Sequence, residues 1–158
     1  PDSVVHVDQT PQSGYERIFR HLSPADAESL SLGRVQIINV WSPIRGPVRD
    51  APLAVCHARS VAPGDLVHQR LIYQDRESST YLVQHNPVHE WYYLSNMSSD
   101  EALLIKCYDN KYPHSVTPHT GFVVADTESA LPRQSIEVRC LVFFDDDTNK
   151  MEVMGTEY

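Results

Sequence analysis

The 158-residue chain fits one domain with a substantial core, because a chain of this size buries roughly two-thirds of the surface that it exposes when unfolded. Its composition, 41% hydrophobic and 22% charged with 11 prolines, is that of a turn-rich globular protein and argues against fibrous or wholly disordered classes. A formal charge of -8 disfavours nucleic acid as a partner, and no apolar run approaches the roughly 20 residues of a membrane helix.

Residues 4–10 (VVHVDQT) read as a short strand that stops at Thr10-Pro11, where proline lacks a donor and restricts the residue before it. The spacing of Tyr15, Ile18, Phe19 and Leu22 predicts a helix over 14–22 with these four on its apolar face. Ser23-Pro24-Ala25-Asp26 supplies the N-cap, first-turn proline and early acid of a second helix that ends near Gly33. From residue 34 the pattern turns to β. Strands are expected at 34–41, 66–74, 79–85, 90–94, 103–108 and 135–144, with a capped turn of helix at Ser98–Glu101. Residues 42–64, rich in proline, are expected to form a long ordered loop without regular elements. Short strands with helices confined to the start of the chain point to a mainly β antiparallel barrel or jelly roll.

Three cysteines, Cys56, Cys107 and Cys140, form no CxxC pair, and their odd count cannot be fully paired within one chain. Reduced thiols and a cytoplasmic location are the simpler expectation.

His6-Val7-Asp8 is the most telling short pattern. Alternate residues of a strand share a face, so an imidazole and a carboxylate stand side by side. The pair needs a third ligand, and His119 in Thr117-Pro118-His119-Thr120 is the best candidate, with His114 as its rival. A facial triad of two histidines and one carboxylate suits ferrous iron with open positions for a co-substrate and dioxygen, although zinc accepts the same ligands. His85 and His89 have the spacing of a zinc-protease pair, but Pro87 between them spoils the helix which that pairing requires. Further on, Arg133 and Ser135 outline an R-x-S clamp for a dicarboxylate, because the guanidinium fork can donate two charge-assisted hydrogen bonds. Arg139 competes with Arg133 for that role. Residues 133, 135, 137 and 139 share one strand face, so Glu137 can pair with either arginine. Trp41, Arg45, Arg49, Trp91 and Tyr92 are candidates for a substrate pocket, with core packing the plainer role of the aromatics.

Taken in order, the stretches HVDQTPQSG, INVWSPIRGPVRDAPLAVCHARSV, RLIYQDR, NPVHEWYYLSNMSSDEALLIKCYD, TPHTGF and PRQSIEVRCLVFF resemble the fungal and bacterial hydroxylase/desaturase family that includes gibberellin desaturase-like and cephalosporin methoxylation-type proteins. The resemblance runs from about Val4 to Phe144. It implies a double-stranded β-helix, iron(II), 2-oxoglutarate and dioxygen, and oxidation of unactivated C–H bonds in small specialised metabolites. On that resemblance His6, Asp8 and His119 match the iron ligands, and Arg133 with Ser135 matches the co-substrate clamp. Residues 1–158 are expected to be one oxygenase-like β-barrel domain that lacks the segment which family members carry ahead of HxD. Strand edges opened by that lack are a route to homo-oligomers. Two other readings keep part of the pattern: a cupin-like metalloenzyme that does not use 2-oxoglutarate, and a non-catalytic β-barrel binding module.

Overall fold

The computed structural model describes residues 3–125 and 130–144. The first strand, β1, is only His6–Val7, and Thr10-Pro11 both closes it and opens helix α1, Pro11–His21. Thr10 is the N-cap and its hydroxyl accepts from the Ser13 amide, while Pro11 occupies a first-turn position where a missing N–H costs nothing. The helix thus begins three residues before its expected start. Helix α2, Pro24–Ser31, follows with the expected Ser23 cap.

The buried stripe of α1 differs from the expected one. Gly14 and Ile18 are buried, whereas Tyr15 and Phe19 are 49% and 39% exposed and pack on each other with ring centroids 5.0 Å apart. The reason is the close approach of Tyr108: a Cβ on Gly14 would lie 2.2 Å from its ring. The helix rolls to seat its one residue without a side chain on that ring.

The remaining strands are β2 (Arg34–Pro43), β3 (Leu53–Cys56), β4 (Leu66–Ile72), β5 (Glu77–Val83), β6 (Trp91–Tyr93), β7 (Leu103–Asp109), β8 (His119–Gly121) and β9 (Ser135–Phe144). They form a six-stranded sheet ordered β4-β5-β1-β8-β3-β6 and a three-stranded sheet ordered β7-β2-β9, with antiparallel pairing throughout. This is the double-stranded β-helix, mainly β with two early helices, that the strand pattern and the resemblance implied.

Two expectations need correction. The proline-rich stretch 42–64 contains strand β3, because Leu53–Cys56 holds no proline and can complete ladders to β6 on one side and β8 on the other. Ser98–Glu101 makes a turn rather than a helix, although Glu101 accepts from both the amide and the hydroxyl of Ser98.

The core lies between the sheets and beneath α1. Strand β2 alternates strictly, turning Val35, Ile37, Asn39 and Trp41 inward, where Ile18, Leu53, Met97, Ile105 and Cys107 meet its apolar members. Asn39 is fully buried in that row although it is polar. Among the described residues no helix is long and apolar enough to cross a membrane.

Candidate metal centre

Short strand β1 lies between β5 and β8, and its register sets His6 directly opposite His119. Asp8 follows two residues after His6, so the three side chains converge between the sheets. One ligand atom from each of His6, Asp8 and His119 lies within 4.8 Å of the others. His6 Nε2 is 3.9 Å from Asp8 Oδ1, His119 Nε2 is 3.7 Å from Asp8 Oδ2, and the imidazole centroids are 4.5 Å apart.

The histidines are oriented alike. His6 Nδ1 donates to the Val4 carbonyl at 2.7 Å, and His119 Nδ1 donates to the Thr117 carbonyl at 3.0 Å. A carbonyl can only accept, so each ring carries its proton on Nδ1 and directs the lone pair of Nε2 toward the carboxylate. Imidazoles anchored this way through the far nitrogen are typical of metal ligation. The donor set, two neutral imidazoles and a carboxylate, fits a ferrous or zinc ion.

Asp8 is itself held from behind. Its Oδ2 accepts from Asn39 Nδ2 at 2.6 Å and from the Cys107 thiol at 3.2 Å, and its Oδ1 lies 3.0 Å from Arg139 Nη2. Burial is the largest single influence on this carboxyl and favours its neutral form. In the absence of a metal, the attraction of Arg139, then of His119 in its protonated form, the Cys107 hydrogen bond and His6 in its protonated form, outweighs it and holds Asp8 below the usual carboxylate range. Burial, reinforced by the negative Asp8, pushes the Cys107 thiol far above the ordinary thiol range, so it stays a neutral donor. Asn39 uses its remaining atoms as well, donating to Glu137 at 2.9 Å and accepting from Arg139 Nε at 3.0 Å. Asn39 and Cys107 escape a search for ligands by residue type. The signal for Asn39 is its place as the polar member of an inward, otherwise apolar row.

The other expected residues separate into three places. Arg139 faces the metal group, pairs with Glu137 at 3.5 Å, and lines with His6, Asp8, Gln9, Arg17 and Tyr73 a cavity of about 510 Å³. Arg133 lies six residues earlier, ahead of the start of β9, roughly 20 Å along an extended chain at about 3.3 Å per residue. There its guanidinium donates to the Ala51 carbonyl, stands 5.2 Å from the centroid of the Trp41 ring, and shares a separate recess with Arg45 and Arg49. Ser135 is at the first position of β9, opposite Pro43, and Trp41 is a core residue, 4% exposed. Trp91 and Tyr92 line an apolar groove with Val5, Ala54, Val83 and Thr120, residues that alternate with those facing the metal group and so belong to the sheet's other face. His114 is exposed and lies outside the metal group. The His89 side chain is 4% exposed and bonded to Asp65 at 3.0 Å, a structural pairing.

Comparison with known proteins finds relatives over most of the chain. A family model described as an oxidoreductase/YMDC permease-like domain matches residues 1–143. The chain is 43% identical to hydroxylase/desaturase efuI of Hormonema carpetanum, over 92% of this chain and 53% of the relative. It is 38% identical to the Fe(II)/2-oxoglutarate-dependent dioxygenase nvfI of Aspergillus novofumigatus, over 90% of this chain and 52% of the relative. A solved structure of the iron and alpha-ketoglutarate-dependent endoperoxidase NvfI, a W199F variant, superimposes with a TM-score of 0.84 at 34% identity, covering 91% of this chain and 53% of that one. The chain therefore spans about half the length of these relatives.

Proposed function

The chain belongs to the hydroxylase/desaturase family of oxidoreductases, and on that premise we propose that it is the metal-binding part of an iron(II) and 2-oxoglutarate-dependent dioxygenase that hydroxylates or desaturates a small specialised metabolite. The observation that carries the reading is the convergence of His6 Nε2, His119 Nε2 and the Asp8 carboxylate within 4.8 Å. Iron held there supplies the oxidising chemistry with dioxygen and 2-oxoglutarate. The protein's own residues do the positioning. The Val4 and Thr117 carbonyls fix the imidazoles, Asn39 and Cys107 aim the carboxylate, and Arg139, more than the Cys107 hydrogen bond, keeps it ionised.

Of the residues expected to hold the far carboxylate of 2-oxoglutarate, Arg139 is the one that faces the metal group. It takes that role in this reading, while Arg133 and Ser135 serve the end of the barrel near Trp41, where Arg45 and Arg49 also lie. The three cysteines are unpaired, in keeping with a cytoplasmic location. A small-molecule substrate is supported by relatives such as aspirochlorine biosynthesis protein N of Aspergillus oryzae, 39% identical over 87% of this chain and 59% of the relative.

Anaerobic addition of iron(II) and then 2-oxoglutarate tests the proposal. A weak visible charge-transfer band should appear, vanish in His119→Ala, and need more 2-oxoglutarate in Arg139→Ala than in Arg133→Ala. A folded protein that binds iron without forming the band returns the site to the metalloenzyme reading without 2-oxoglutarate.

A further inference from the structure

Among the described residues that line the cavity, Arg17 is a cation that the site described above leaves unused. It projects from α1 into the same cavity as His6, Asp8 and Arg139, and is half-buried. Its Nε is fully shielded from solvent and has no hydrogen-bond partner. No carboxylate among the described residues forms an ion pair with its guanidinium. This contrasts with Arg139, whose guanidinium engages Asp8, Asn39 and Glu137. Arg139 is close enough to Arg17 for the two guanidinium charges to repel one another. An anion in the cavity offsets that repulsion, because a guanidinium grips a carboxylate through charge-assisted hydrogen bonds. The rest of the wall suits an organic acid rather than a bare ion, with Leu71, Tyr73 and Leu82 offering apolar area.

We propose that Arg17 binds a carboxylate of the organic ligand in front of the metal group, forming with Arg139 a two-arginine anion site. The proposal rests on the reading of this cavity as the ligand chamber of a metal enzyme. A carboxylate there has two sources, the far end of 2-oxoglutarate or an acid group on the substrate.

The test separates the sources and does not depend on turnover. Glutarate, a dicarboxylate without the chelating keto group, is titrated calorimetrically into the metal-free full chain, alongside Arg17→Ala and Arg17→Lys. In a second arm, hexanoate is titrated into the anaerobic protein loaded with iron(II) and 2-oxoglutarate. Binding that falls at least tenfold in Arg17→Ala and recovers partly in Arg17→Lys supports the site. A fall in the glutarate arm assigns Arg17 to the co-substrate, and a fall confined to the hexanoate arm assigns it to an acidic substrate. Equal binding by wild type and Arg17→Ala in both arms, or no binding of either acid to the folded wild type, overturns the proposal. Cobalt(II) absorption by Arg17→Ala checks that the metal group is intact. Absence of the charge-transfer band in the wild type would count against the 2-oxoglutarate reading while leaving the glutarate arm readable.

Discussion

Two carboxylates, partly buried Asp8 and fully buried Asp109, lie in contact with side chains of the same strand, and they are treated in opposite ways. Asp109 is saturated: it accepts from Arg34 Nε and Nη2 at 3.3 and 2.7 Å, from Gln36 at 2.7 Å, and from the Lys111 and Tyr112 amides at 3.0 and 3.1 Å. Every direction around it is closed by a donor, and the result is a clamp between β2 and β7. Asp8 is held on one side by Asn39, Cys107 and Arg139, and on the other meets two imidazole nitrogens whose lone pairs point at it. Lone pairs facing a carboxylate do not satisfy one another; they need a cation between them. Asp109, whose partners are all donors, is built to hold the sheet together, whereas Asp8, whose partners include converging acceptors, is arranged to take a cation.

The largest expected effect lies at the unsaturated end. Asp8→Ala or His119→Ala should lower cobalt(II) affinity by at least 100-fold, read from the absorption of the bound ion, because three protein ligands become two. Retention of wild-type affinity by either variant would remove the metal assignment. At the saturated end, Arg34→Ala should cost about 2–3 kcal/mol in urea unfolding, since it leaves a fully buried carboxylate short of its bidentate partner. Its cobalt affinity should stay unchanged. If metal binding fell in parallel, the two networks would be one.

Asn39→Ala sits between these extremes, because Asn39 touches Asp8 while occupying a core position. Metal affinity should fall about 10-fold or more, the usual scale for a residue that orients a ligand, with a stability loss of about 1–2 kcal/mol. Gly14→Ala should destabilise by about 1–3 kcal/mol through overpacking on Tyr108, with metal affinity unaffected per folded molecule.

The smallest effect concerns acid. Burial alone would raise the Asp109 carboxyl, but Arg34, Gln36 and the two amides outweigh it and hold the group well below its ordinary value of 3.8. Its contribution to stability is therefore present in full above that ordinary value and lost as pH falls through the lowered one. Asp109→Asn should flatten the pH dependence of unfolding below about pH 4. An unchanged slope in that window would show that other carboxylates carry the acid sensitivity.

The same contrast separates what was legible in the chain from what was not. The β character after residue 34, the Ser23 cap and the HxD pair follow from strand period and cap chemistry, both local properties. His119 could be nominated because a pair of ligands calls for a third, but choosing it over His114 required the β1–β8 register, which no local pattern encodes. Surrounding prolines hide strand β3, and the buried stripe of α1 departs from its apolar periodicity because it depends on Tyr108, far along the chain. Most plainly, Arg133 and Arg139 have the same parity and much the same chemistry. Only the pairing of Asn39 with Arg139, and the crossing of β2 behind Asp8, sets one at the metal group and the other roughly 20 Å along the chain. Residue type and period decide which side chains can share a face; sheet register decides which of them meet, because register joins segments more than a hundred residues apart.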